Sequence, residues 1–257
     1  MCGIVAVNVM AIPKEKVYIY GKHAITEVLH SAPHVVQKVF VAQGALTADL
    51  RAQLIKHGIQ TAPIKEQRGV AKDASHQGLI AVINPAKLVM PLDVLIGKLD
   101  IKRKPCIVLL DEIQDPHNLG AIVRSAAAFG AAGVVLPVGK QAPISGAAVK
   151  ASVGTIFSIP IAFTESTESA LKALKHRGFR AYGLAMKGAR DVTKEPFDAP
   201  TVIVVGNEGS GIRQHTLAHC DVNLRIPMHH RVESLNAAVS ASTALYEWSR
   251  QHPEWLK

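Results

Sequence analysis

The sequence predicts an α/β protein with two units, a small N-terminal domain and a larger domain built on a parallel sheet. Apolar segments with strand character alternate with helical segments along most of the chain, which is typical of parallel strands covered by helices on both faces. Hydrophobic residues make up 48% of the chain and charged residues 19%, so a packed core is favoured over disorder. A stretch with three prolines at residues 85–105 interrupts the alternation and predicts a boundary between the units.

The N-terminal domain is predicted to span residues 1–84. Residues 35–41 have the β-branched bias of a strand, and residues 79–83 form an uninterrupted apolar run. The helical pattern that follows Thr47 stops at Gly58, a strong signal for the end of a helix. The prediction comprises strands at residues 17–20, 35–41, 59–62 and 79–83, with helices at residues 23–29 and 47–57.

Residues 85–104 are predicted to be a linker that contains one short helix. Asp93 is a possible cap for a helix at residues 94–99. The linker ends in the basic run of residues 102–104, which is either a solvated surface or a phosphate contact.

The second domain is predicted to span residues 105–257. Its segments alternate again, and each apolar strand ends in a polar or glycine-bearing loop. The predicted strands cover residues 107–110, 133–136, 157–161, 180–185 and 201–205, and the helices cover residues 119–129, 147–152, 167–176 and 235–248. Such a sheet brings the loops that follow its strands to one edge.

The chain is basic, with 29 Lys and Arg residues against 20 Asp and Glu, a net charge of +9 with His neutral. This excess favours a polyanionic partner, either nucleic acid or an anionic membrane surface, and a solvated basic surface is the alternative. No run approaches the roughly 20 apolar residues that span a bilayer. Three widely spaced cysteines suit a reducing cytosol and lack the spacing of a zinc site. We therefore expect a soluble cytoplasmic protein.

The first segment that carries chemistry follows the predicted strand at residues 107–110. Asn118 lies at a plausible helix N-cap, where its side chain satisfies an unpaired amide. Arg124 follows six residues later among small side chains, where a guanidinium needs an anion or a partner. A cap with an ordinary ion pair is the structural alternative.

The second segment is Gly-Asn-Glu-Gly-Ser-Gly at residues 206–211, directly after an apolar strand. Its glycines do not follow the dinucleotide-binding fingerprint. Gly206 and Gly209 permit tight turning and close approach of the backbone to a ligand. Glu208 would repel a pyrophosphate, so a ribose hydroxyl or a cationic ligand fits this loop better.

The third segment combines apolar walls with the start of a helix. Ile226, Pro227 and Met228 end a strand-like run, and Ser234, Leu235 and Asn236 open a helix rich in alanine and serine. Small residues allow that helix to pack closely against another element. A capped core helix without a further role is the alternative.

Together the three segments resemble the motif set of the SpoU branch of RNA 2′-O-ribose methyltransferases, within the SPOUT superfamily. The resemblance covers about residues 105–250, and its motifs occur in the order of that family and at its usual separations. It implies a SPOUT α/β domain with a C-terminal trefoil knot, which composition and periodicity do not reveal. It also implies methyl transfer from S-adenosylmethionine to a ribose 2′-hydroxyl, without a metal.

The resemblance implies roles for ten residues. As cofactor-binding residues it implies Leu184, Gly206, Ile226, Met228 and Leu235, with residues 184–186 forming a further knot loop. As catalytic residues it implies Asn118, Arg124, Glu208, Ser234 and Asn236. Arg124 is the family's candidate for activating the hydroxyl; because arginine stays protonated in proteins, anchoring the adjacent phosphate is the alternative.

The N-terminal domain resembles the L30e-like RNA substrate-binding module that precedes this catalytic domain in the RlmB-type subgroup. The match rests on residues 20–24 and 76–78. It implies a guanosine of 23S ribosomal RNA as the substrate, with tRNA as the alternative. The family also implies a homodimer in which Arg124 acts across subunits. The basic charge would also fit a protein that binds RNA without catalysing a reaction, which is the competing interpretation.

One departure from the family's pattern and one competing resemblance stand beside this reading. His229, His230 and Arg231 replace smaller residues, and we expect a basic rim that faces RNA rather than a metal site, because neighbouring residues seldom point the same way. The start Met1-Cys2-Gly3 resembles that of amidotransferases with an N-terminal cysteine nucleophile, but nothing downstream continues that pattern.

Overall fold

A computed structural model describes residues 16–64, 76–185 and 190–257, and its strands form two sheets. Cys2 and Met186, which the sequence analysis considered, lie outside these residues. The smaller sheet has four strands in the order β1-β4-β2-β3, and the larger sheet has eight. Within the described part of the chain, no helix is long and apolar enough to cross a membrane.

The small unit follows the predicted alternation closely. All five residues of its central strand β4 are buried, because β4 is flanked by β1 and β2. Thr47 caps α2 by accepting a hydrogen bond from the Leu50 amide. The elements are β1 (Val17–Tyr20), α1 (Lys22–Ser31), β2 (Val36–Val41), α2 (Ala48–Lys56), β3 (Thr61–Pro63) and β4 (Leu79–Ile83).

The larger sheet is entirely parallel, as the sequence predicts, and its order is β10-β12-β9-β11-β6-β7-β8-β5. Its strands are β5 (Val89–Pro91), β6 (Cys106–Asp111), β7 (Gly133–Pro137), β8 (Ile161–Thr164), β9 (Arg180–Leu184), β10 (Arg190–Asp191), β11 (Thr201–Gly206) and β12 (Val222–Arg225). Its helices are α3 (Leu92–Gly97), α4 (Pro116–Ala128), α5 (Gly146–Ala151), α6 (Thr167–His176), α7 (Gln214–Ala218) and α8 (Ala237–Gln251).

The central strand β6 shows why the sheet is covered on both faces. Cys106, Val108 and Leu110 pack into one hydrophobic cluster, while Ile107 and Leu109 pack into the other. All five side chains are fully buried. Successive residues of a strand face opposite sides, so a continuous apolar run is what a doubly covered parallel strand requires.

The segment predicted as a linker contributes to the larger sheet. Val89–Pro91 forms the edge strand β5 and pairs with β8 from Val89 to Pro91 against Ile161 to Phe163. The short helix α3 begins at Leu92 after an N-cap at Pro91, two residues before the predicted start. Its buried face packs into the second hydrophobic cluster through Leu92, Leu95 and Ile96.

Helix α4 also begins earlier than predicted. Its N-cap is Asp115, whose Oδ1 accepts a hydrogen bond of 2.9 Å from the His117 amide. Pro116 takes the first helical position, where its missing N–H costs no hydrogen bond. The predicted capping role of Asn118 is therefore wrong, and its side chain is left to bind elsewhere.

Three further predictions need correction. The strand expected at residues 157–161 begins only at Ile161, because Thr155–Phe157 forms a 3₁₀ turn after Gly154, which has φ of 85°. The helix expected from residue 235 begins at Ala237, after its N-cap. Strand β10 and helix α7 were not predicted, and the strand-like run expected to end at residues 226–228 is β12, which ends at Arg225. The trefoil knot stays a prediction, because strand order does not record how the chain is threaded.

Candidate active site

The candidate site lies where the central strands of the parallel sheet end. Gly206 of β11 pairs with Asp111 of β6, and Leu224 of β12 pairs with Leu184 of β9. The loops that follow these four strands therefore emerge at the same edge of the sheet. All three segments selected from the sequence begin at this edge, which is where open α/β sheets bind ligands.

The glycine loop after β11 is closed so tightly that it requires glycine at Gly206. A Cβ at this position would overlap the Ile212 nitrogen and lie 2.6 Å from the Gly211 carbonyl oxygen. Two backbone hydrogen bonds of 3.0 and 2.9 Å join Asn207 to Gly211, which has φ of 69°. Gly209 has no such constraint, since its Cβ would only contact the Asn207 side chain at 3.6 Å.

Asn207 organises this loop, a role that the sequence analysis missed. Its Oδ1 accepts hydrogen bonds from the amides of Gly209 (2.9 Å) and Ser210 (3.2 Å). Its Nδ2 donates to the Glu112 carbonyl oxygen at 2.9 Å, which ties the loop to the end of β6. An asparagine that follows a strand-terminating glycine is a recognised turn signal, and this signal could have found it.

Three predicted site residues form one chain of hydrogen bonds. The Asn118 Nδ2 donates to Glu208 Oε1 at 2.8 Å, and the Asn236 Nδ2 donates to Asn118 Oδ1 at 2.9 Å. The Asp115 amide donates more weakly to the same Glu208 oxygen, at 3.4 Å. The structure thus brings together residues that lie 90 and 118 positions apart along the chain. We call Asn118, Glu208 and Asn236 the polar triad.

The orientation of each amide in the polar triad is fixed by its neighbour. Asn236 caps helix α8, since its Oδ1 accepts from the amides of Ala238 (2.8 Å) and Val239 (3.2 Å). Its Nδ2 must then face Asn118 and donate. Asn118 in turn presents its Oδ1 to Asn236 and its Nδ2 to the Glu208 carboxylate, which can only accept. The capping of α8 by Asn236 therefore fixes which group donates and which accepts in each hydrogen bond of the polar triad.

Asn236→Asp separates the capping role from the donor role of this residue. A carboxylate still caps α8 but cannot donate to Asn118, so the Glu208 side chain loses its fixed partner. We expect the free energy of unfolding to change by less than about 1 kcal/mol. The rate of the methyl transfer that the resemblance implies should fall by at least about tenfold. Urea denaturation and a single-turnover methylation assay measure the two effects, and equal losses in both would contradict this assignment.

A cavity of about 410 Å³ adjoins the polar triad. Its walls come from the loops after β9, β11 and β12 and from the start of α8. The lining includes all five residues predicted to bind the cofactor, together with two of the predicted catalytic residues: Leu184, Gly206, Ile226, Met228, Leu235, Glu208 and Ser234. The mixture of apolar walls and a few polar groups suits an organic ligand of moderate size.

Arg124 is the predicted site residue that the structure leaves apart from the others. It is exposed on α4, and within the described ranges no hydrogen bond or ion pair engages its guanidinium. The adjacent Ser125 hydroxyl lies 2.6 Å from that of Ser242, so Arg124 stands where α4 packs against α8. The ordinary ion pair that was the structural alternative for Arg124 is not found among the described residues.

A buried ion pair next to the glycine loop was also missed by the sequence analysis. Asp111 is fully buried and accepts from the Arg213 amide (3.0 Å), from its Nε (3.0 Å) and from its Nη2 (2.6 Å). Glu112 and Glu168 each approach the same guanidinium at 3.3 Å. Hydrogen bonding to Asp111 raises the pKa of Arg213, so the guanidinium stays protonated.

The two described cysteines do not offer a nucleophile to the site. Burial raises the pKa of the Cys106 thiol, and burial together with Asp221 raises the pKa of Cys220 to about 12. Both remain protonated at neutral pH. His229 and His230 are exposed beyond Met228, with ring centroids 4.3 Å apart. In the described part of the chain, no three His, Cys, Asp or Glu side chains are grouped as metal ligands.

The fold is that of a SpoU methyltransferase. The structure of the SpoU methyltransferase AviRb from Streptomyces viridochromogenes, in complex with AdoMet, superposes with a TM-score of 0.77 and 25% identity. It covers 93% of this chain and 91% of that chain. S-adenosylmethionine is the cofactor of this family.

Sequence comparisons place both units of the chain in the same family of RNA methyltransferases. Residues 105–246 match the SpoU rRNA methylase family, and residues 18–89 match the RNA 2′-O ribose methyltransferase substrate-binding domain. The 23S rRNA (guanosine-2′-O-)-methyltransferase RlmB of Photobacterium profundum is 35% identical over 91% of this chain and 97% of its own length. A Staphylococcus haemolyticus relative, named only at the level of TrmH family tRNA/rRNA methyltransferases, is 32% identical over 92% and 96%. The chain belongs to the SpoU rRNA methylase family.

Proposed function

We propose that this methyltransferase transfers the methyl group of S-adenosylmethionine to the ribose 2′-hydroxyl of a guanosine in 23S ribosomal RNA. The observation that carries the proposal is the polar triad, which ends in a carboxylate at the wall of the 410 Å³ cavity. Relatives named for this reaction align with nine-tenths of the chain, including its N-terminal unit. An rRNA substrate implies a cytoplasmic enzyme.

The lining of the cavity fits the cofactor. Ile226, Met228 and Leu235 offer apolar surface for an adenine ring, and the Gly206 backbone allows close approach without a side chain. The Glu208 carboxylate at the same wall suits the positive charge of a sulfonium. When bound, S-adenosylmethionine supplies an activated methyl group, so the protein has to align the acceptor oxygen and help to remove one proton.

Glu208 is the residue best placed to bind the ribose hydroxyl. Both of its hydrogen bonds, from Asn118 and Asp115, end on Oε1. Its Oε2 has no hydrogen-bond partner within the described ranges and is free to accept from the 2′-hydroxyl. The polar triad prevents the carboxylate from turning away, which is the preorganisation that a positioned acceptor requires. Glu208 thereby holds the 2′-hydroxyl and takes its proton when the 2′-oxygen is methylated.

The N-terminal unit favours a large RNA. Its match to an RNA substrate-binding domain and the net charge of +9 both suit a polyanion. Mapping of 2′-O-methyl groups in rRNA and tRNA from a deletion strain tests the substrate. We expect the loss of one guanosine methylation in 23S rRNA, restored by the wild-type gene. Loss from tRNA alone would replace the substrate with tRNA and leave the chemistry unchanged.

A homodimer explains the position of Arg124. Val239 and Tyr246 are 48% and 56% exposed and lie seven residues apart on one face of α8. Tyr246 contacts Phe129, the residue after α4, edge-on, with ring centroids 5.8 Å apart, so the exposed apolar face extends to the end of α4. We propose that a second copy covers this face and that the Arg124 guanidinium then reaches the partner's polar triad. There it anchors the phosphate beside the target ribose.

Arg124→Ala tests both the role and the shared site. We expect this variant to bind S-adenosylmethionine normally and to lose at least about 99% of its methylation activity, the scale of losing one phosphate-anchoring charge. Glu208→Ala should also be inactive. If Arg124 acts across the interface, mixed dimers of the two variants contain one intact site, and mixing should restore about a quarter of wild-type activity.

The opposite result has an equally clear meaning. If Arg124 serves its own chain, every site in the mixed dimers carries a defect and no activity returns. Co-purification through two different affinity tags shows whether mixed dimers have formed. Normal turnover by Arg124→Ala alone would remove its assigned role.

A further inference from the structure

A second, smaller cavity lies beside the active site, on the other side of Arg213. Ile212 and Gln214 line the first cavity, whereas Arg213 lines the second. The second cavity has a volume of about 190 Å³ and lies between the loops that follow β6, β7 and β8. It is lined by Glu112, Pro137, Val138, Lys140, Gln141, Glu165, Ser166, Thr167 and Arg213.

Gln141 gives this cavity an unusual property. Both Oε1 and Nε2 of its side chain are buried, and neither has a hydrogen-bond partner among the described residues. Its backbone is fixed, because the Gln141 amide donates to Gly139 and the Ala142 amide donates to Ile113. Buried amides in folded proteins are almost always hydrogen-bonded. The exception marks a place that is completed by a ligand with both a donor and an acceptor.

The charges of the cavity indicate which ligand fits. Two carboxylates, Glu112 and Glu165, line it together with the Lys140 ammonium and the Arg213 guanidinium, which is already paired with Glu112 and Asp111. Two carboxylates disfavour a phosphate group, but they accept hydrogen bonds from a neutral base. Guanine presents the donors N1–H and N2–H₂ beside the acceptor O6, which matches carboxylates flanked by a lysine. Adenine has the acceptor N1 where guanine has N1–H. Two acceptors, N1 and a carboxylate oxygen, would then face each other without a hydrogen bond.

One hydrogen bond joins a residue of the cavity wall to the loop that carries Glu208, a member of the polar triad. The Glu112 carbonyl accepts a hydrogen bond of 2.9 Å from the Asn207 side chain, and Asn207 precedes Glu208 in the glycine loop. Glu112, which lines the second cavity, is therefore tied to the loop that carries Glu208. Enzymes that modify nucleotides commonly rotate the target out of its stack and read the base in such a pocket.

We propose that the second cavity binds the guanine base of the target guanosine and selects it over other bases. This inference rests on the proposed function and names the residues that determine its specificity. Glu165 accepts hydrogen bonds from the Watson–Crick edge and Lys140 donates to O6. The Gln141 amide, which solvent does not reach in this structure, turns toward the base to complete its hydrogen bonds.

The test uses the full-length enzyme and short transcripts of the mapped rRNA region with guanosine, inosine or adenosine at the target position. Inosine differs from guanosine only by lacking the 2-amino group. We expect wild-type kcat/KM to fall at least about tenfold with inosine and about 100-fold with adenosine, the scale of losing hydrogen bonds to a charged group. Glu165→Gln and Gln141→Leu should each reduce the preference for guanosine over adenosine by about tenfold or more.

Controls separate specificity from folding. Glu254→Gln changes an exposed glutamate far from this cavity and should keep the wild-type preference. Gln141→Leu removes an unpaired amide, so its melting temperature should not fall, and both variants should bind S-adenosylmethionine as the wild type does. A wild type that accepts adenosine equally, or variants that keep the wild-type preference, would overturn the proposal. Absence of methylation on any RNA would instead refute the proposed function.

Discussion

Gly206→Ala is expected to weaken S-adenosylmethionine binding by at least about 100-fold, or about 2.7 kcal/mol. The new Cβ would overlap the Ile212 nitrogen and lie 2.6 Å from the Gly211 carbonyl oxygen. These are backbone atoms, which cannot rotate away as the end of a side chain can. The two hydrogen bonds between Asn207 and Gly211 close the loop at this point, so relief of the overlap requires the loop to open.

Opening the loop would alter both functions that it serves. The loop forms a wall of the first cavity and also carries Glu208 to its hydrogen bond with Asn118. Isothermal titration calorimetry with S-adenosylmethionine measures the first effect. Gly209→Ala is the matched control from the same loop, because its Cβ would make an ordinary contact of 3.6 Å, and we expect a much smaller loss of affinity. Equal affinities of the two variants would show that tight closure at Gly206 is not needed.

The sequence predicted best those elements whose signals are local. The apolar run of β4 and the helical periodicity of α6 were predicted with the bounds that the structure has, Leu79–Ile83 and Thr167–His176. Both are long enough and buried enough for their patterns to be unambiguous. The short strands β5, β10 and β12 lie at or near the edges of the sheet, and have two to four residues each, so they lack the uninterrupted apolar run that predicts a strand.

The position of Asn118 shows a different limit. An asparagine before a helical pattern is a reasonable N-cap, but Asp115 followed by Pro116 is a stronger signal for the same role. Once Asp115 caps the helix, Asn118 lies one turn further and faces Glu208 and Asn236. Motif resemblance selected these three residues together, whereas propensity alone gave Asn118 a purely structural role.

The Asp111–Arg213 pair could not have been predicted from spacing or composition. The two residues are 102 positions apart, and their contact depends on β6 and β11 being neighbours in the sheet. Asp111 reads in the sequence as the polar end of a strand, and Arg213 as one of many basic residues. Only the strand order shows that a buried carboxylate meets a guanidinium at this point.

Asp111→Ala is expected to lower the free energy of unfolding of the larger domain by about 3–5 kcal/mol. The change removes the fully buried acceptor of three hydrogen bonds from Arg213 and of one, 2.8 Å long, from the Thr167 hydroxyl. The Arg213 amide then loses its acceptor, and the guanidinium keeps Glu112 and Glu168, both at 3.3 Å, and the Thr167 hydroxyl at 3.2 Å. Urea denaturation monitored by tryptophan fluorescence measures the loss, since Trp248 is buried in this domain.

A surface ion pair provides the control for this prediction. Asp198 lies 3.8 Å from Arg180 with 65% of its side chain exposed, so Asp198→Ala should cost less than about 1 kcal/mol. A double-mutant cycle of Asp111→Ala with Arg213→Ala isolates the coupling, and the double variant should lose about 1–3 kcal/mol less than the sum of the single variants. Strict additivity would mean that the two side chains do not depend on each other. The pair also joins the end of β6 to Arg213, the second residue after the glycine loop. The single variants should therefore lower methylation even where the protein remains folded.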